Sequence, residues 1–153
     1  MLSTRDQFIE DFGLFFEKYG LSRIMGRIYG LLLISDAHHL SLEQIARELN
    51  ISKASASTVA RQLEAMTMIQ KSTVPGDRRD YYRVADDSHI RTVRLKLNSA
   101  LSFSSLIQKG AQLEGIAPTT RQRLKRMEHF YNEIAEVINA FFQNYRAPEE
   151  VEA

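Results

Sequence analysis

Two adjacent arginines, Arg78 and Arg79, follow Pro75-Gly76 and lie between Asp77 and Asp80. Glycine permits a sharp turn there, and a guanidinium carried on such a tip can enter a narrow minor groove of DNA, where negative potential is concentrated. A neighbouring aspartate can hold one arginine in position while the other meets phosphate. Arg79 is assigned to the groove and Arg78 to the backbone. Just upstream, Ser52 has the character of a helix N-cap, so the free N–H groups and positive dipole end of the helix it opens suit a phosphate. The polar side of that helix carries Lys53, Ser55, Ser57, Thr58, Arg61 and Gln62. Lys53 or Arg61 can bond guanine, Gln62 can read adenine, and the Thr58 methyl can meet thymine. The pattern leaves open which base each one touches.

The whole chain of 153 residues has a formal net charge of only +1, so the distribution of charge matters more than its total. Between Ser52 and Arg83 stand six basic residues (Lys53, Arg61, Lys71, Arg78, Arg79, Arg83) against three acidic ones (Glu64, Asp77, Asp80). That excess marks the middle of the chain as the place where an anion is met.

Other chemistry is poorly served. There is no cysteine, which excludes thiolate metal sites and disulfides and fits a reducing, cytoplasmic compartment. His38-His39 are adjacent on a turn and lack helical ligand spacing, and His89 and His129 have no nearby cysteine or carboxylate pattern, so no metal is expected. No nucleophile elbow, acid/base pair or phosphate-binding glycine loop is present, so the chain reads as no enzyme and as needing no cofactor. The apolar run around Leu31 to Ile34 falls far short of the roughly 20 residues that span a membrane. At 44% hydrophobic and 25% charged residues, the composition is that of an ordinary globular domain, and the length suits one core.

The elements that must position these groups can be read from periodicity. Residues Thr4 to Tyr19 place Phe8, Phe12, Phe15 and Tyr19 on one stripe, widened by Ile9 and Phe16, with Gly20 to stop the helix. Ser22 caps a second helix to about Ile34, in which Gly26 and Gly30, one turn apart, would let another helix approach closely. Ser41 and Gln44 have capping-box spacing and open a short helix through Leu49, and Asn50-Ile51 turns the chain into the Ser52 helix, which runs to about Met66. Ile69–Val74 and Tyr81–Val84 read as two strands of a hairpin. Asp86, Asp87 or Ser88 then caps a long helix to roughly Leu113. Thr119 and Gln122 suggest a capping box for a last helix to about Tyr145, and an acidic tail follows Ala147.

In that last helix Leu124, Met127, Tyr131, Ile134, Ile138, Phe141 and Tyr145 alternate by three and four, the spacing of a helix that packs lengthwise on a partner. Phe130, Val137 and Phe142 broaden the surface beyond what one partner helix covers. With Phe8 and Phe12 of the first helix, the seam predicts a two-fold homodimer. Folding of both stripes onto the chain's own core is the alternative.

Short helix, tight turn, second helix and basic hairpin together make a mainly α fold, a winged helix-turn-helix over about residues 22–86. Residues 1–20 and 88–146 are expected to form a dimerisation part within a single domain, with 147–153 as an acidic tail. The segment from Ser41 to Ser52, the helix at 53–66 and Gly76-Asp77-Arg78-Arg79-Asp80-Tyr81-Tyr82 resemble the MarR family of regulators. Phe12-Gly13-Leu14-Phe15-Phe16 with Gly20, Arg23, Gly26 and Gly30 resembles more specifically its GbsR-type branch. The resemblance implies a dimer on a palindromic duplex operator, repression of transcription, and a small-molecule effector in a pocket between the two parts, choline-like cations in some members of the branch. Phe12, Phe15, Phe16, Tyr19 and Tyr29 are the aromatic set from which a cage for such a cation could be built, although aromatics at helical spacing more often pack. Ala54, Ser55, Ala56 and Ser57 give the reading helix short side chains, which shifts the expected readout toward the wing and the phosphates. A winged-helix module that binds protein instead of DNA is the competing reading.

Overall fold

The computed structural model describes residues 3–145, so the acidic tail lies outside the described residues. The chain runs α1 (Thr4–Lys18), α2 (Arg23–Leu33), β1 (Leu40–Ser41), α3 (Leu42–Leu49), α4 (Lys53–Ala65), β2 (Ile69–Ser72), β3 (Tyr81–Val84), α5 (Ser88–Ala111) and α6 (Pro118–Asn144). It forms two compact units, divided between Thr92 and Val93 inside α5.

In the first unit the sheet order is β1-β3-β2, antiparallel throughout, with Ser41 and Ser72 both opposite Tyr81. β1 is only two residues long and has no alternating pattern of its own to betray it. Ile28 and Leu31 of α2, Ile45 of α3, Leu63 of α4, and Ile69 and Tyr82 of the sheet meet in one core. Burial of such side chains contributes about 1.5–3 kcal/mol each, and it fixes the angle between α3 and α4.

The sequence reading groups residues 1–20 with the C-terminal helices. In the structure α1 packs on α2, turning Ile9, Gly13 and Phe16 inward. Their backbones touch: a Cβ built on Gly26 would lie 2.2 Å from the Phe12 carbonyl oxygen. Glu10 accepts from Arg23 at 2.9 Å and faces Arg27 at 2.6 Å, tying the two helices on their outer side. The β2 strand stops at Ser72, two residues before the expected end, because Val74-Pro75-Gly76-Asp77 makes a turn closed by Asp77 N–H on the Val74 carbonyl at 3.0 Å. Gly76 takes φ +81 there, the third position of a type II pattern with proline second.

In the second unit α5 and α6 pair antiparallel. Phe103 meets Tyr131 edge to face at 5.4 Å, Ser104 donates to Asn132, Gln108 donates to Glu128, and the Arg94 guanidinium lies 4.4 Å over Phe142. The expected Thr119–Gln122 capping box is absent. Pro118 starts α6 after Ala117, with no side-chain cap, because its fixed φ and missing N–H suit the first helical position.

Candidate nucleic-acid interface

α4 is built to expose one face. The Ser52 hydroxyl accepts the Ser55 N–H at 3.0 Å, and Ala56, Val59, Ala60 and Leu63 are buried. That leaves Lys53, Thr58, Arg61 and Gln62 open to solvent, with Ser55 and Ser57 half-buried beside them. α3 enters through the expected capping box, in which the Ser41 hydroxyl takes the Gln44 N–H and Gln44 returns to the Ser41 N–H. Asn50 ends it in the left-handed region at φ 52, a conformation asparagine tolerates, and Ile51 N–H reaches back to the Ala46 carbonyl.

At the wing tip Asp77 gathers donors from Arg79 and Tyr81. It accepts the Arg79 backbone N–H at 2.9 Å, the Arg79 Nε at 2.8 Å and the Tyr81 hydroxyl at 2.8 Å. The guanidinium, then the backbone N–H, then the tyrosine hold its carboxyl well below the ordinary carboxylate range. Arg79 is thus fixed in direction while still open to solvent, and Arg78 beside it is exposed.

Four of the six basic residues of this segment are ion-paired: Lys53 with Glu43, Lys71 with Asp80, Arg79 with Asp77 and Arg83 with Asp86. Arg61 and Arg78 make no ion pair among the described residues, so the uncompensated positive charge sits on α4 and on the wing tip. Glu43, in the first turn of α3, pairs with Lys53 at the start of α4. Its carboxyl is held below its ordinary value by the hydrogen bond from Lys53 first and then by its own backbone N–H. Sequence reasoning missed Glu43, because its closeness to Lys53 depends on the angle between α3 and α4. It also missed Tyr81, which reads simply as a strand residue.

The aromatic stripe of α1 divides. Phe16 is buried, and the Tyr29 ring lies tilted against both Phe16 and Phe12 at centroid distances of 5.8 and 5.9 Å, whereas Phe15 and Tyr19 pair with each other on the open face. The five rings do not surround one space. A cleft of about 390 Å³ is lined instead by Phe8, Asp11, Phe12 and Phe15. In α6 the seam divides as well: Leu124, Tyr131, Ile138 and Tyr145 are half-buried, while Met127, Ile134 and Phe141 are exposed. With Phe130 at 60% and Val137 at 68% exposure, they form an open stripe that steps by three and four over Met127, Phe130, Ile134, Val137 and Phe141.

No described helix is long and apolar enough to cross a membrane, and no group of three His, Asp or Glu among the described residues can hold a metal ion. The MarR family model matches residues 25–81, the span from α2 to the first residue of β3. The HTH-type transcriptional regulator MmpR5 of Mycobacterium tuberculosis is 33% identical over 120 residues, which are 78% of this chain and 73% of that protein. A crystal structure described as that of a transcriptional regulator superposes with a TM-score of 0.83 at 28% identity, covering 94% of this chain and 98% of its own. Family match, relative and fold agree with the geometry of α3, α4 and the wing: the chain belongs to the MarR family and is a winged-helix, DNA-binding regulator of transcription, with no enzymatic activity.

Proposed function

We propose that the chain represses transcription as a homodimer, laying α4 of each subunit in a major groove of a palindromic operator and placing Arg79 in the flanking minor groove. The observation that carries this reading is that Arg61 on the open face of α4 and Arg78 at the wing tip are both exposed and make no ion pair among the described residues, so that helix and wing present open positive charge to a duplex. Ser52, Lys53 and Arg78 are suited to phosphate, and Ser55, Ser57, Thr58, Arg61 and Gln62 to base edges. The open stripe of α6 supports dimerisation, with the half-buried Leu124, Tyr131, Ile138 and Tyr145 of the same helix at its margins; in α1, Phe8 and Phe12 are assigned to the subunit interface as well. A stripe of that breadth is rarely left wet on a monomer. Relief by a small ligand is supported by the α1 cleft, where three aromatic rings and the Asp11 carboxylate offer the chemistry that holds a quaternary ammonium. The α1 residues from Phe12 to Phe16, with Gly26 and Gly30, favour the GbsR-type branch.

The test is a gel-retardation assay on DNA upstream of the chain's own gene at two salt concentrations. A shift that weakens steeply with salt and survives random competitor DNA is expected. Absence of any shift on that duplex and on random duplex at low salt would refute the reading. A reporter fused to the same DNA should rise when the gene is deleted, and a fall would make the protein an activator.

A further inference from the structure

We propose that Tyr81 is a positioning residue for the wing arginine, anchoring the Asp77–Arg79 pair to the body of the winged unit. The inference rests on the reading that Arg79 enters the minor groove. Asp77 and Arg79 are two residues apart on the same exposed loop, so their ion pair orients the guanidinium only relative to that loop. A second link is needed to hold the loop itself. Tyr81 supplies it: its hydroxyl donates to Asp77 at 2.8 Å, and its residue lies in β3, where the backbone is paired on both flanks, with Ser41 and with Ser72.

The ring has little freedom to move. It is 8% exposed, the His39 ring meets it edge to face at 4.7 Å, and the Arg79 guanidinium lies 5.4 Å over it. Ser41, opposite Tyr81, is also the N-cap of α3, so the wing tip is referred through one side chain to the helix-turn-helix. An arginine on a free loop must be ordered when it binds, and that ordering cost comes out of affinity. A tyrosine anchor meets the cost during folding.

The test is a double-mutant cycle on a duplex selected from a random-sequence pool by the wild-type protein. Tyr81→Phe keeps the ring and removes only the hydroxyl. It should weaken binding about fivefold, the usual effect of one lost hydrogen bond, with an unchanged melting temperature. In an Arg79→Ala background the same change should cost nothing further. The Asp77 carboxyl, followed by NMR, should titrate at higher pH in Tyr81→Phe than in wild type, which a purely structural role would not produce. Equal losses in both backgrounds, or no loss in wild type while Arg79→Ala alone is costly, would overturn the anchor and leave the groove reading standing. Full affinity of Arg79→Ala would overturn the groove reading itself, and the anchor with it.

Discussion

Glu43 pairs with Lys53, a residue assigned to phosphate, yet it carries the wrong charge for phosphate itself. Its carboxylate occupies the Lys53 ammonium. Each cation that neutralises a phosphate contributes about 0.9 to the slope of log affinity against log salt. Glu43→Gln should therefore tighten binding to any duplex and steepen that slope by about 0.9, as Lys53 becomes free to meet the backbone. An unchanged slope in a salt titration would show that Lys53 stays off the phosphates. Asp77 behaves differently because its charge is used inside the wing. Its carboxyl is depressed in the folded chain, by Arg79 above all, so the pairing is fully present above the ordinary carboxylate value of 3.8 and is lost only as pH falls through the lower folded value. DNA affinity should accordingly show no Asp77 inflection at any pH above the normal carboxylate range, whereas Asp77→Asn should weaken binding at every pH in the same titration. An inflection near 3.8 or higher would mean that the pair is not formed in solution.

Among the elements, two backbone positions call for opposite outcomes. A methyl at Gly26 would collide with main-chain atoms of Phe12 and Gly13, which cannot rotate away, so Gly26→Ala must push α1 off α2. A loss of about 2–3 kcal/mol is expected from overpacking of this kind, read by urea unfolding. Thr67, just beyond α4, holds φ 58 so that Met68 N–H can reach the Leu63 carbonyl at 3.0 Å. A β-branched residue is strained in that region, and Thr67→Gly should gain about 1 kcal/mol. The glycine pair of α2, the Ser41 capping box and the Ser52 cap were all legible in the sequence, since each is decided within one or two turns of chain. What was not legible depended on competition or on tertiary contact. At the start of α6 the Thr119–Gln122 spacing predicts the N-terminus, but Pro118 takes the first helical position instead, where its fixed φ and missing N–H fit. β1 exists only because Leu40 and Ser41 find Tyr82 and Tyr81 as partners. The site followed the same rule: the arginines and the polar face of α4 were visible as residue types, while Glu43 and Tyr81 acquire meaning only through residues distant in sequence or across a sheet.

At the scale of the whole molecule, the heptad of α6 has to serve two surfaces. Every second member, Leu124, Tyr131 and Ile138, is half-buried within the pairing with α5, as Tyr131 against Phe103 illustrates. The members between them, Met127, Ile134 and Phe141, join Phe130 and Val137 on the open side. A seam read from spacing alone merges these faces, because a single partner and two partners both produce steps of three and four. The two faces predict different failures. Ile134→Lys places a charge in the middle of the open stripe, where burial against a partner subunit would strip it of water, so sedimentation should find monomers at concentrations where the wild-type protein is a dimer, with helix content retained. Tyr131→Ala should leave the dimer intact and lower the stability of the α5–α6 pair by about 2 kcal/mol, roughly half the cost of removing a fully buried ring. If instead Ile134→Lys sediments as a dimer and Tyr131→Ala as a monomer, the surfaces are reversed and the subunits meet elsewhere. The monomer also bears on DNA. Two-fold subunits require half-sites about one helical turn apart, so Ile134→Lys should protect a single half-site in a footprint and lose the steep concentration dependence of the dimer, even though α4 and the wing in each copy are untouched.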